Sequence, residues 1–244
     1  MRRFFPYFIA FACLSLFGGF SMAFFLKETK KPPQVPVKII AQTGPQKEGL
    51  KTDYLAELLD LSYDRPKMMS CEEAKTLLEK SPVIKTVAVS LLGTETFLID
   101  YTLRRPKFLF LDVNNCALDE EGRFFPLAPF YTPKNLPELY FGLDALPPLN
   151  TSLDETKMRI AKALAEKIGD PLMRIDLSHM SEPTLGKREI VVILRSHQNV
   201  HTLRLPTSGY EEQMERYFSL REKISDRTLT IDLRLSRLAY INQS

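Results

Sequence analysis

Few residues in this chain have the chemistry to catalyse or to hold a metal, and their spacing argues against both roles. His197 and His201 stand four apart, which on a helix would set two imidazoles on one face as ligands. Here they flank Gln198-Asn199-Val200 in a stretch that reads as a hairpin, with no HExxH, CxxC or third ligand nearby, so exposed turn histidines are expected. Asp119, Glu120 and Glu121 are consecutive ahead of Gly122. Paired carboxylates do acid–base work only across a cleft and in unequal environments, so a solvated turn is expected instead. The chain has no G-x-S-x-G, no S-x-x-K of the penicillin-binding type and no glycine-rich phosphate loop, in keeping with its 10 glycines. These patterns predict no enzyme, no cofactor, no metal and no small-molecule substrate. Cys71 and Cys116 could pair in an oxidising compartment, but separate small core residues are the expectation.

The elements that would position such residues can be read from periodicity. Val37 opens a strand, VKIIAQT, and Lys51 to Leu61 puts Tyr54, Leu55, Leu58 and Leu59 at helical spacing. Ser70 and Glu73 form a capping box ahead of Ala74, Leu77 and Leu78. Val83 to Leu92 and Thr96 to Leu103 predict a hairpin around Gly93-Thr94. After Arg104-Arg105-Pro106, Phe108 to Val113 reads as a strand, and Ala117-Leu118 leads into a turn at Asp119 to Gly122. A proline-dotted loop is expected from Pro126 to Pro148. Asp154 to Ile168 is an amphipathic helix with Met158, Ala161, Leu164, Ala165 and Ile168 on one face. Strands follow at Leu172 to Leu177, Glu189 to Arg195 and His201 to Leu205. Glu211 to Ile224 is a second helix, and one long strand is expected from Thr228 to Ile241.

From Phe4 to Leu26 there is no charged side chain, a run of about 23 residues, long enough as a helix to cross a hydrocarbon core. A cleaved signal peptide is the rival reading, but the run continues through Phe24-Phe25-Leu26 past the small residues at Ser21-Met22-Ala23. A single-pass anchor is therefore expected, with the short N-terminal tail cytoplasmic and the bulk translocated. Lys27 to Pro36 is charged and proline-rich and reads as an extended stalk. The 33 basic and 30 acidic residues are dispersed, which gives no footprint for nucleic acid.

The order of these pieces resembles the bacterial cell-division family FtsQ, called DivIB in Gram-positive bacteria. The residues that carry the resemblance are Ser81-Pro82-Val83-Ile84-Lys85 (helix, proline, strand), Arg104-Arg105-Pro106 (basic-x-Pro) and Leu118-Asp119-Glu120-Glu121-Gly122-Arg123-Phe124-Phe125 (D-x-x-G-x-x-F). Leu136-Pro137-Glu138-Leu139-Tyr140-Phe141-Gly142 is similar to the LP-x-L-x-G loop, and Ile231-Asp232-Leu233-Arg234 to the closing I-D-L-R-Y strand. The chain departs from the pattern at Leu103, at Leu235 in place of an aromatic, and at Ser236-Arg237-Leu238 in place of a glycine-containing turn.

The resemblance implies an α+β fold. The tail and transmembrane helix would occupy 1–26 and the stalk 27–36. A POTRA-like β-α-α-β-β module would occupy 37–106, and a β-rich domain with two helices 107–244. It implies a non-enzymatic divisome scaffold in the inner membrane at the division septum, with its bulk periplasmic. Its partners would be FtsB (DivIC) and FtsL and, through them, FtsW and FtsI. The alternative is a POTRA-containing envelope protein of secretion or outer-membrane assembly. The expected partner site is the edge strand Thr230, Ile231, Asp232, Leu233, Arg234, Leu235, Ser236 and Arg237. An unpaired strand edge can be completed by a partner strand, and the resemblance makes Arg234 the charge partner of an acidic residue.

Overall fold

The computed structural model describes residues 33–45, 47–62, 66–224 and 227–243. The expected anchor, Phe4 to Leu26, lies outside them. Among the described residues no helix is long and apolar enough to cross a membrane. The fold is mixed α+β, with four α-helices and 14 strands among those residues. It divides into two compact units. Of the described residues, the first takes in those up to Thr43, those of Thr52–Leu78 and Ala88–Asp100; the second takes in those of Gly44–Lys51, Glu79–Val87 and those from Tyr101 onward.

In the first unit, the expected opening strand is broken at Lys38. β1 (Val35–Val37) pairs antiparallel with β3 (Lys67–Met69), a strand the sequence did not announce, while β2 (Ile39–Thr43) runs parallel to β5 (Thr96–Leu103). The last residues of the expected stalk are therefore folded into β1. Pro36 is tolerated there because an edge strand needs no N–H on its open side. β4 (Ile84–Leu92) completes a three-stranded sheet in the order β2-β5-β4. Helix α1 (Thr52–Leu58) buries Leu55. Helix α2 (Cys71–Leu78) starts on the expected capping box: Glu73 N–H donates to Ser70 Oγ (3.2 Å), and Ser70 N–H donates to Glu73 Oε2 (2.8 Å). Hydrogen bonds to the carboxylate from Ser70, the one from its backbone N–H first, hold the Glu73 carboxyl below its usual range. Cys71 and Cys116 are both free thiols.

The second unit is built on a nine-stranded sheet in the order β14-β13-β12-β11-β10-β9-β6-β7-β8. β6 (Phe108–Phe110), β7 (Cys116–Leu118) and β8 (Phe124–Pro126) form an antiparallel meander. β9 (Glu138–Tyr140) lies inside the expected proline-dotted loop yet is central, parallel to both β6 and β10 (Leu172–Asp176). β11 (Ile190–Ser196) and β12 (Asn199–Leu205) continue antiparallel, and β13 (Leu229–Asp232) runs parallel to β12. Parallel neighbours need a crossover: α3 (Glu155–Ile168) joins β9 to β10, α4 (Tyr210–Arg221) joins β12 to β13, and β7 and β8 lie between β6 and β9 along the chain. Asp154 caps α3, accepting from the N–H groups of Thr156 and Lys157.

Register places Ile190, Val192 and Leu194 of β11 opposite Leu205, Leu203 and His201 of β12, with Leu229 and Ile231 of β13 beyond them. All of these are buried, and Met158, Ala161, Leu164, Met214 and Tyr217 from the helices join the same core. The period of two along each strand brings His201 to this face, so the expectation of an exposed histidine fails. Its Nδ1 lies 2.8 Å from the Tyr217 hydroxyl and its Nε2 3.1 Å from the Arg227 carbonyl. A carbonyl only accepts, so Nε2 carries the proton. His197 is exposed in the turn, as expected, at φ 51°.

Two glycines of the family-like motifs have steric reasons to be there. Gly122 (φ 74°) and Gly142 (φ 64°) are left-handed, and an added Cβ would stand 2.7 Å from Met158 Cγ and 2.5 Å from Ser178 Cβ respectively.

The carboxylates before Gly122 are not all solvated. The side chains of Asp119 and Arg104 are each only 6% exposed and pair at 2.7 Å. Asp119 Oδ1 also accepts from the N–H groups of Glu121 and Arg123. Arg104 Nε donates to the Pro82 carbonyl, and the Tyr131 hydroxyl, its own acidity suppressed by burial, donates to the Arg104 carbonyl. Glu120 and Glu121 stay at the surface, and Lys85 holds the Glu121 carboxyl below its usual pKa. Removing one member of a buried pair strands the other charge. Asp119→Ala should therefore destabilise the second unit by about 3–5 kcal/mol in urea unfolding, and Arg104→Met with Asp119→Leu should recover most of the loss. A loss below about 1 kcal/mol would mark the pair as solvated.

Candidate functional site

The expected long strand from Thr228 to Ile241 is two strands. β13 stops at Asp232, and β14 (Tyr240–Gln243) folds back antiparallel on it, with Asp232 opposite Tyr240 and Leu229 opposite Gln243. The turn lies at Leu235–Leu238, closed by Leu238 N–H to the Leu235 carbonyl at 3.4 Å, with Arg237 left-handed at φ 67°. Of the expected site, Thr230, Ile231 and Asp232 thus sit inside the sheet between β12 and β14. Leu233 makes the last rung to β12, and Arg234, Leu235, Ser236 and Arg237 form the connection. The edge itself is β14.

Which of its backbone groups face outward follows from alternation. Leu233 N–H donates to the Arg204 carbonyl of β12 at 2.8 Å. Strand period turns Ile231 and Leu229 the same way, and Thr230 and Asp232 toward β14. Asp232–Tyr240 and Thr230–Asn242 are then the hydrogen-bonded pairs, which leaves the N–H and C=O of Ile241 and Gln243 directed at the open side. All four residues of β14 are exposed, and among the described residues no strand pairs with its outer edge. The opposite end of the sheet is closed differently. β8 is short and mostly buried, ends in Pro126, and is covered by Asn150 N–H to the Phe124 carbonyl and by a bridge between Arg123 and Ser152.

Beside β14 lies a groove of about 820 Å³ whose lining includes Leu185, Pro206, Leu235, Leu238 and Tyr240. Leu235, Leu238 and Tyr240 are 66%, 64% and 71% exposed. Its charged lining is Arg188, which donates to the Glu182 carbonyl, and Asp232 and Arg234, which pair within a four-residue ionic network. Arg234 Nη2 meets Asp232 Oδ2 at 2.6 Å, its Nη1 meets Glu189 Oε2 at 3.3 Å and the Gly186 carbonyl at 3.0 Å, and Arg204 bridges Glu189 (2.7 Å) and Asp232 (3.5 Å). Arg234 is therefore not the free cation expected from the sequence; two carboxylates already hold it. Burial pushes the Asp232 carboxyl up, but the hydrogen bonds from Arg234 outweigh this and keep it below the usual aspartate range.

No protein-family model matches the chain, and comparison with curated proteins finds no match. Among the described residues no cluster of three or more His, Cys, Asp or Glu is placed to hold a metal. Sequence reasoning missed Leu185, Leu238 and Tyr240, and it missed the turn itself. Leu229, Ile231, Leu233 and Leu235 alternate without a break, so nothing in the hydrophobic pattern marks where β13 ends. The one signal was comparative: Arg237 occupies the turn where the resembling family has glycine.

A non-glycine residue in the left-handed region costs about 1–2 kcal/mol. Arg237→Gly should therefore raise the thermal midpoint, the strain relieved outweighing the ~0.4–1 kcal/mol of glycine's greater unfolded entropy; a lowered midpoint would contradict strain at Arg237. The acid limb tests Asp232. Its folded pKa is lowered, so its stabilisation is complete above the unfolded value and is lost as pH falls through the folded one. The stability gap between the native protein and Asp232→Asn should be full at neutral pH and close below about pH 4. A gap that stays constant down to acid unfolding would remove Asp232 from the account.

Proposed function

We propose that this chain is a non-enzymatic assembly scaffold of the bacterial division machinery, anchored in the cytoplasmic membrane through Phe4 to Leu26 with its bulk outside. It takes up a strand from an FtsB (DivIC)-type partner, and through it FtsL, on the open edge of β14. The observation that carries this is the asymmetry of the nine-stranded sheet: one end is capped, and the other presents exposed backbone beside an apolar groove. The resemblance in motif order supports the same reading, with the first unit as the POTRA-like module.

Magnitudes divide the labour at this edge. Ile241 and Gln243 offer two N–H and two C=O groups, each worth about 0.5–1.5 kcal/mol net. That total is small against the cost of ordering and immobilising a peptide. Full burial of a leucine or similar side chain adds about 1.5–3 kcal/mol, so Leu235, Leu238 and Tyr240 would set affinity while the ladder sets register. Arg234, already paired, would present a balanced rim and not a lone charge.

The proline test therefore belongs on β14, since Arg234 and Leu235 lie in the connection between β13 and β14. Ile241→Pro removes an outward N–H while sparing the rungs to β13, so it should abolish co-purification with an FtsB-type peptide and leave circular dichroism unchanged. Leu238→Asp should weaken binding by at least an order of magnitude, through lost burial and a desolvated charge. Undiminished binding by folded Ile241→Pro would rule out strand addition at this edge.

A further inference from the structure

The first unit ends in an uncharged tip. From Thr86 to Thr94 there is no charged residue, and Ser90, Leu91, Leu92, Gly93 and Thr94 are all exposed. Leu91 is 42% and Leu92 58% exposed, at the outer end of β4. β2 begins beside the same turn. Its parallel register sets Ile39 against Thr96, and the N–H groups of Lys38 and Ile39 both lie against the Glu95 carbonyl, at 2.9 and 3.3 Å. Ile39 is itself 57% exposed. Three large aliphatic side chains thus gather at the end of the unit where β2 starts. Lys38 and Glu95, paired at 2.8 Å, stand at the rim.

The chain itself argues for what covers them. Ile39 follows Leu26, the last residue of the uncharged run, by 13 positions. Even fully extended, that connection spans at most about 45 Å. The same end of the unit that carries the apolar tip is therefore leashed to the apolar run, and a bilayer surface is the apolar medium within its reach. We propose that Ile39, Leu91 and Leu92 dip into the headgroup–acyl boundary of the membrane and fix the tilt of the first unit on it. This rests on reading Phe4 to Leu26 as an anchor. Three aliphatic side chains are too few to recruit a protein from solution. They suffice once the anchor makes the contact intramolecular, because the tether sets a high effective concentration. Lys38 suits the rim, since its ammonium reaches the headgroups while its stem stays in apolar surroundings.

The chain contains no tryptophan, so Leu92→Trp introduces a unique indole. The full chain would be reconstituted into phosphatidylethanolamine–phosphatidylglycerol vesicles, with and without bromine on the acyl chains. Emission of Leu92→Trp should fall about twofold in the brominated vesicles, because an indole at this depth meets the upper acyl carbons. Thr43→Trp, at the far end of β2, should keep its emission, and adding Leu91→Asp should abolish the quenching of Leu92→Trp. Unquenched Leu92→Trp in a chain that floats with the vesicles would overturn the tip contact and leave the anchor standing. A blue-shifted emission insensitive to bromine would also overturn it, since protein would then cover the tip. A chain that fails to float would overturn the anchor and the tip contact together.

Discussion

Every buried or edge-lying backbone N–H and C=O has to be satisfied by something, and a sheet that does not close on itself must leave one row of these groups at each end. The second unit resolves this on one side only. β8 is short, is covered by the segment around Asn150 to Ser152, and ends in a residue with no N–H. β14 has none of these devices. It carries no proline, lysine or bulge, and it lies beside exposed Leu235, Leu238 and Tyr240. A long-lived soluble edge of this kind invites pairing, so its retention is the physical reason to look for function there.

The rest of the second unit serves to hold that edge in place. Two helical crossovers let β9–β10 and β12–β13 lie parallel, and the alternating faces of β11, β12 and β13 bury one continuous stripe against α3 and α4. On the opposite face, Glu189, Arg204, Asp232 and Arg234 tie three successive parts of the sheet together just before the chain turns into β14. An ionic network that is already balanced contributes little attraction to a partner, but it fixes the base of the hairpin and so the direction of the open row.

Local signals were legible in the sequence and distant ones were not. The Ser70–Glu73 box, the amphipathic helix that ends at Ile168 and the limits of β5 depend on residues three or four apart, or on plain alternation, and the structure shows them where expected. β9 escaped notice because three residues between Pro137 and Phe141-Gly142 carry no usable period; only its two parallel neighbours make it a strand. Asp119 looked solvated because its partner, Arg104, stands 15 residues away. His201 looked exposed because it adjoins a turn, although the period that buries Leu203 and Leu205 buries it as well. The turn at Ser236-Arg237 was hidden by the unbroken alternation through it and by an arginine in a conformation that glycine usually takes.

The claim at the centre of this account is that Ile241 and Gln243 face outward while Tyr240 and Asn242 face β13. Residue-resolved amide exchange on the folded chain, with and without an FtsB-type peptide, reads this directly. Without peptide, the amides of Tyr240 and Asn242 should be protected and those of Ile241 and Gln243 should exchange freely; on adding peptide, Ile241 and Gln243 should become protected too. Protection of Ile241 and Gln243 that is unchanged by a peptide shown to bind would contradict it.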